Sequence, residues 1–353
     1  MKISRTELAR KLKQMKSITP PKTDGVFQGI LLKDGVLTAN NFEIAITTRL
    51  EAAEDESFII PLKAVDLIEN LPDGDLSITE KNNKITVKSA KGRSTFQTVP
   101  ADEFNGIEQY QKGDAEETVS IDGQLFAESV NKVMYACDEK SPREAKKGVY
   151  FEGDGEFLNI VACDGVSLAW AKIPYTEKFK VLVPKTTLQK VLSVIGDEIT
   201  LNRFGKSNAV FITGEYTVYT KLLTGEFIDY KSIVPKAFEG EFSVNRNDLQ
   251  ETIGRCLVCM DDSRAPARFI VSEDDGVLRI EAISNISEFS EEISVSDVNG
   301  KSITAGLSPR ILSGALKSVG TESVKFKYIS PVNPFLIETD NLLQIVMPMR
   351  LKS

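Results

Sequence analysis

Histidine is absent from all 353 residues. That removes the commonest general base and metal ligand at neutral pH, and with it the usual partner of a serine nucleophile. Few other candidates for chemistry remain. Cys256 and Cys259 form one CLVC pair, half of a zinc site, while Cys137 and Cys163 lie far away in sequence. Packing is the expected role of all four. The stretch FGKS, ending at Ser207, has a Gly-Lys-Ser but lacks the spaced upstream glycine of a phosphate loop and sits in strand-like surroundings. PDGDLSITEK joins Asp73 and Glu80 to a lysine, the residue types of a metal-dependent nuclease. A turn after a helix explains Asp73 better. Nothing converges as an acid-base pair must. The expectation is a chain without active site, metal or cofactor.

The cations are more regular. Lys63, Lys185 and Arg310 each open a predicted helix. A helix N-terminus carries positive partial charge, so a cation there suggests another demand, such as a phosphate nearby. The first 22 residues hold Lys2, Arg5, Arg10, Lys11, Lys13, Lys16 and Lys22 against Glu7 alone. At about 100° per residue, Arg10 and Lys13 lie opposite the apolar face of Leu8, Leu12 and Met15. The net charge of −8 speaks against a protein that coats nucleic acid all over, but a basic helix on an acidic body could hold it on one face. A solvated helix face is the plainer alternative.

The elements that must carry these residues come in three copies. IIPLKAVDLIENLPDGDLSI, LVPKTTLQKVLSVIGDEITL and GLSPRILSGALKSVGTESVKF each read as a strand, a helix, a turn and a strand. Pro61 and Pro184 stand 123 residues apart, and Ser308 follows 124 later. Upstream, Leu8, Leu12 and Met15 match Phe126, Val130 and Val133, then Leu249, Ile253 and Cys256; spacings of four and three place each trio on one helix face. Cys256 thus stands where the other copies have Met and Val. The match is imperfect, because Glu128 and Glu251 face away from the second and third trios. Alternating stretches such as GVLTANNFEIAITTRLEA predict hairpins. The fold class expected is α+β, three tandem units at 1–118, 119–240 and 241–353, each with helix plus strands twice over. The apolar end QIVMPMRL then reads as the last strand of the third unit. No apolar run is long enough to span a bilayer and the basic N-terminus lacks a secretory signal's apolar centre, so a cytoplasmic protein is expected.

Three tandem units together with GEFIDYKSIVP, VACDGVSLAWAKIP and the terminal VMPMRL resemble the bacterial DNA polymerase III beta subunits, the sliding clamps. The resemblance runs the length of the chain. It implies a non-enzymatic processivity factor: a head-to-tail homodimeric ring of clamp domains around double-stranded DNA, without sequence-specific contacts. Its implied partners are the replicative DNA polymerase, a clamp loader and other proteins that dock a short peptide. The peptide pocket it implies comprises Arg143, Lys146, Cys163, Gly165, Val166, Ser167 and Leu168, then Ile228, Ser232 and Ile233. Arg264, Ser308, Ile311, Val332 and Pro334 follow, with Val346, Met347, Pro348, Met349 and Arg350 of the tail. Arg10, Lys13, Lys22, Lys63, Lys185 and Arg310 become the DNA-facing cations, and Phe96 and Thr98 would meet Val258 and Cys259 across the dimer interface. Relatives commonly carry basic residues where Val166 and Ser167 stand, asparagine at Ser308 and an aromatic at Ile311, which leaves the peptide preference open. A repeat scaffold that never encircles DNA, and a nuclease centred on Asp73 and Glu80, remain as alternative readings.

Overall fold

In the computed structural model the described residues are 1–19, 28–53, 55–104, 106–110, 113–272, 276–339 and 341–351. One order of elements occurs three times. The first copy is β1 (Lys2–Ser4), α1 (Arg5–Met15), β2 (Gly29–Lys33), β3 (Val36–Asn40), β4 (Ile44–Arg49), β5 (Ser57–Pro61), α2 (Leu62–Asn70), β6 (Asp75–Glu80), β7 (Lys84–Ser89) and β8 (Gly92–Gln97). The second is β9 (Glu117–Asp122), α3 (Gly123–Val133), β10 (Gly148–Asp154), β11 (Phe157–Cys163), β12 (Ser167–Pro174), β13 (Lys178–Pro184), α4 (Lys185–Ser193), β14 (Glu198–Phe204), β15 (Asn208–Thr213) and β16 (Tyr216–Lys221). After a short α5 (Tyr230–Ile233) come β17 (Gly240–Asn245), α6 (Arg246–Val258), β18 (Ala267–Ser272), β19 (Val277–Ile283), β20 (Glu288–Asn299), β21 (Ile303–Leu307), α7 (Pro309–Lys317), β22 (Ser323–Tyr328), β23 (Phe335–Thr339) and β24 (Leu342–Val346).

The nine residues of the three helical trios, Met15, Val133 and Cys256 included, are at most 1% exposed. Cys256 is a packing residue, and all four thiols are free. Local chemistry sets the helix starts. The Asn245 side chain accepts from the amides of Asn247 and Asp248 at the start of α6, and Ser308 caps α7 just before Pro309. Asp73 lies in the turn between α2 and β6, where it accepts from Arg5 Nη1 at 3.1 Å and Thr6 Oγ1 at 2.9 Å. Gly205 to Ser207 form the β14–β15 hairpin turn, not a phosphate loop.

The compact units do not follow the repeats. One comprises Met1–Ala127 with Thr186–Leu222, the other Glu128–Lys185 with Leu223–Ser353. The first holds an antiparallel sheet ordered β1-β6-β7-β8 and an eight-stranded one ordered β5-β2-β3-β4-β16-β15-β14-β9. The second holds twelve strands ordered β13-β10-β11-β12-β24-β23-β22-β17-β20-β19-β18-β21. Within the first unit β4 pairs with β16, Tyr216 opposite Thr48. Within the second, β12 pairs with β24, Leu168 opposite Ile345. In both joins the fourth strand of one copy meets the last strand of the next. No described helix is long and apolar enough to cross a membrane.

Candidate functional site

A cavity of about 320 Å³ opens in the second compact unit. One wall is the turn between β11 and β12. There Asp164 Oδ1 accepts from the amides of Val166 at 2.9 Å and Ser167 at 2.6 Å, and from Ser167 Oγ at 3.0 Å. This side-chain turn fixes Cys163, Gly165, Ser167 and Leu168 at the cavity wall. Gly165 has φ +93°, and a Cβ there would strike the Lys146 ammonium, which donates to the Asp164 carbonyl at 2.7 Å. Arg143, Ala145 and Lys146 form the lip.

The second wall is the segment Phe227, Ile228 and Ile233 around α5. Aromatic packing and ion pairs hold it. Phe227 stacks on Tyr150 at 4.7 Å, and Tyr230 meets Trp170 edge-on at 4.8 Å. The Tyr230 hydroxyl donates to Glu152 Oε2 at 2.5 Å, while Lys231 reaches Asp154 at 3.2 Å. Asn159 links the pair to the ring system: its Nδ2 donates to Asp154 Oδ2 at 2.9 Å and its Oδ1 accepts from Trp170 Nε1 at 2.9 Å. The Glu152 carboxyl keeps a depressed pKa through Tyr230 and Lys180 despite burial, which opposes it. Asp154 is depressed chiefly by the Phe157 amide.

Ile345 and Met347 close the third side. Side chains alternate along β24, so Ile345 and Met347 share the pocket face while Gln344 and Val346, both fully buried, point away from it. Tyr135 Oη donates to Gln344 Oε1 at 2.6 Å, and Gln344 Nε2 donates to the Ala315 carbonyl at 3.2 Å, tying β24 to α7. Ile345 belongs both to the buried cluster with Trp170 and Tyr230 and to the pocket wall.

Of the residues the resemblance implied, Arg143, Lys146, Cys163, Gly165, Ser167, Leu168, Ile228, Ile233 and Met347 line the cavity. Val166 and Ser232 stand exposed beside these wall residues in sequence. Ser308 is buried as the α7 cap, and Ile311 lies in that helix's first turn. Val332 and Pro334 occupy the turn between β22 and β23, and Arg264 pairs with its neighbour Asp262 at 3.3 Å. Pro348, Met349 and Arg350 follow β24 outside the cavity lining. Ala145, Phe227 and Ile345 complete the lining unpredicted. Phe227 was legible as the aromatic of GEFIDY, and Ile345 by alternation from Met347. Burial raises the Cys163 pKa.

The cations at the helix starts divide. In the first unit Lys63 and Lys13 are exposed and make no ion pair among the described residues, while Arg10 pairs with Glu215 through both terminal guanidinium nitrogens. Arg10 and Lys11 hold the Glu215 carboxyl down to about 2. In the second unit Arg310 is exposed without an ion pair among the described residues, and Lys185 pairs with Glu139 at 3.1 Å. None of α2, α4 and α7 has an acidic residue in its first turn. Lys22 lies outside the described residues. Phe96 is half-buried on β8, the outermost strand of its sheet, and Thr98 is buried with its hydroxyl on the Ile59 carbonyl at 2.6 Å. Val258 is 87% exposed at the end of α6, next to Cys259, whose carbonyl accepts from the Ser287 hydroxyl at 2.6 Å in the turn after β19 that carries the exposed Ile286, with exposed Ile283 at the end of that strand. The described residues hold no cluster of three or more His, Cys, Asp or Glu able to take a metal.

Comparison with known proteins supplies the family. Residues 120–229 match the model of the DNA polymerase III beta subunit central domain, and residues 231–350 that of its C-terminal domain. The beta sliding clamp of Pseudomonas aeruginosa is 28% identical over 330 residues, 89% of this chain and 88% of the relative. That of Escherichia coli K12 is 24% identical over 328 residues, again 89% and 88%. The crystal structure of the Pseudomonas aeruginosa subunit superposes with a TM-score of 0.90 at 25% identity, covering 99% of this chain and 100% of that one. That of the Thermotoga maritima subunit shares the fold, with a TM-score of 0.88 at 24% identity, covering 99% of this chain and 100% of that one. Alignments spanning all three copies of the repeated order, with two adjoining domain models, leave one reading of the architecture: the chain belongs to the family of bacterial DNA polymerase III beta subunits, the beta sliding clamps.

Proposed function

We propose that this processivity factor closes as a head-to-tail homodimer around duplex DNA and tethers the replicative polymerase and other partners through the Cys163–Ile228–Met347 pocket. The strand joins carry the closure. The fourth strand of each copy seeks the last strand of another: β4 takes β16 and β12 takes β24. By that rule β20 is left without a last strand and β8 without a fourth. Among the described residues the outer edge of β8 is unpaired and the Glu288–Ser294 half of β20 pairs with β19 alone. A second copy supplies both. Phe96 on β8 and the Val258–Cys259 corner with Ile283 and Ile286 provide the apolar contact. Thr98 then shapes the β8 edge from within.

In this reading the three domains are 1–118, 119–240 and 241–353. The helix-start cations Lys63, Lys185 and Arg310, with Arg10, Lys13 and Lys22, attract phosphates weakly and without base readout, as sliding demands. The pocket takes an extended peptide with bulky apolar side chains. Arg264, Ser308, Ile311, Val332, Pro334, Val346, Pro348, Met349 and Arg350 form or support its outer reach. The flexible methionines suit several ligands. Topology gives the test. The loaded protein should stay on nicked circular DNA and be lost when the circle is cut. Equal loss from intact circles sinks the ring, and cleavage of the DNA with magnesium alone would restore the nuclease reading. Lys63→Glu with Lys185→Glu and Arg310→Glu should lower the salt dependence of DNA contact by about 0.9 in slope per lost phosphate contact.

A further inference from the structure

β21 is one of the two edge strands of the twelve, paired on one side with β18, where Gly306 stands opposite Arg268. The tail uses its other side: the Met349 amide donates to the Gly306 carbonyl at 2.8 Å. Two residues earlier, the Met347 amide donates to the Val166 carbonyl at 2.9 Å, in the β11–β12 turn. Pro348 between them has no amide hydrogen to satisfy. Met347, which lines the cavity, is thus held by one hydrogen bond at its own amide and one just beyond. The contact at Gly306 is too close for any side chain. A Cβ there would collide with the Met349 carbonyl oxygen and lie 3.0 Å from Leu351 Cδ2. The obstacle is tail backbone, which cannot rotate aside as the end of a flexible side chain could.

We infer that Gly306 is a positioning residue for the peptide site: its missing side chain is the slot in which the tail docks, and docking sets Met347 as a pocket wall. This rests on the pocket reading proposed above. Gly306 touches no ligand itself; it acts through Met349. Any larger residue displaces Met349 to Leu351, frees the chain after Val346 and leaves Ile345 alone on the third side of the pocket. β21 keeps its pairing with β18, so the loss falls on the tail and not on the sheet.

The test compares four proteins: the parent, Gly306→Ala, a chain ending at Pro348, and the two changes combined. The probe is a fluorescent peptide copying the C-terminus of the replicative polymerase of the same organism, with amide exchange at Met347 and melting curves alongside. Gly306→Ala and the truncation should each weaken the peptide tenfold or more. The combination should bind no more weakly than the truncation alone, because without Met349 and Leu351 an alanine meets no obstacle. Met347 exchange should quicken in Gly306→Ala. Parental affinity and exchange in Gly306→Ala overturns the inference, as does a combined loss equal to the product of the two. If Gly306→Ala does not fold, the combined variant must; its unfolding would also overturn the inference. A parent that ignores the peptide overturns the pocket reading, and the exchange rates still decide whether Gly306 docks the tail.

Discussion

Two apolar regions of the second unit reach solvent, and they do so differently. The pocket is half-sunk: Ile228 and Ile233 of its wall are 41% and 37% exposed, and Val166, at the rim between the wall residues Gly165 and Ser167, is 42% exposed, around a floor shared with the Trp170–Tyr230 cluster. The corner at the end of α6 stands clear: Val258, Ile283 and Ile286 are 87%, 83% and 90% exposed. A side chain that exposed has gained almost nothing from its own chain. Most of its burial energy, about 1.5–3 kcal/mol for a large aliphatic, is available to a partner. The pocket offers less per residue but in a shape already formed. A preformed concavity suits short ligands that come and go, whereas a projecting apolar corner beside an open strand edge suits a second folded surface that stays.

The largest effect should come from charging the corner. Val258→Glu would bury an unpaired carboxylate in the proposed dimer, worth several kcal/mol, and should raise the dimer Kd at least about a hundredfold. Sedimentation velocity reads this directly; a parental dimer at micromolar concentration would leave the corner without its partner. The peptide site should be untouched by that change.

Tyr230→Ala attacks the other side of the contrast. Removing the ring between Trp170 and Phe227 should cost about 3–5 kcal/mol in stability and abolish peptide binding while the dimer survives. Thermal melts, peptide titration and sedimentation on one preparation give all three readings. Retained peptide affinity would mean the α5 wall is not a wall.

Acid should separate the regions without mutation. Glu152 and Asp154 have folded pKa values below their ordinary 4.5 and 3.8. Depressed carboxyls stabilise the fold fully above those ordinary values and lose that contribution as pH falls through the folded ones. Peptide affinity should therefore still hold at about pH 4.5 and weaken only further down, as the carboxyls protonate through their folded values and Lys231 loses its ion pairs. Glu152→Gln still accepts from the Tyr230 hydroxyl and should keep most affinity at pH 7, whereas Glu152→Ala should not. If the two variants bind alike, the hydrogen bond does not position the wall.

The smallest expected change is at the rim. Val166→Ala removes part of a side chain already 42% exposed and should weaken the peptide only about twofold. A tenfold loss by the same titration would make Val166 an anchor and erase the distinction between rim and floor.

Much of this was legible before any coordinate. Periodicity found the three buried helix trios, because helix faces are local. It also recovered Cys256 as core from its place in the third trio. The tail was legible as a strand, but not its route onto Gly306, since nothing in VMPMRL names a partner residue. Ile283 and Ile286 escaped notice for the opposite reason. In β19, Leu278, Ile280 and Ala282 face the core, so parity turns Ile283 outward. Which parity is inward depends on strands far away in sequence. The pairings β4–β16 and β12–β24 are likewise invisible to a repeat search, which aligns like with like and cannot see that the fourth strand of one copy is completed by the eighth of another.

Those ladders bear on ancestry. A single copy of the repeat, cut free, would bare a fourth strand and a last strand, both with unpaired amides and carbonyls ready to seed aggregation. Any one-repeat forerunner could have hidden those edges only against copies of itself. Closure by self-association would then have preceded tandem duplication, with fusion of the genes merely making permanent, inside one polypeptide, joins that separate chains already formed.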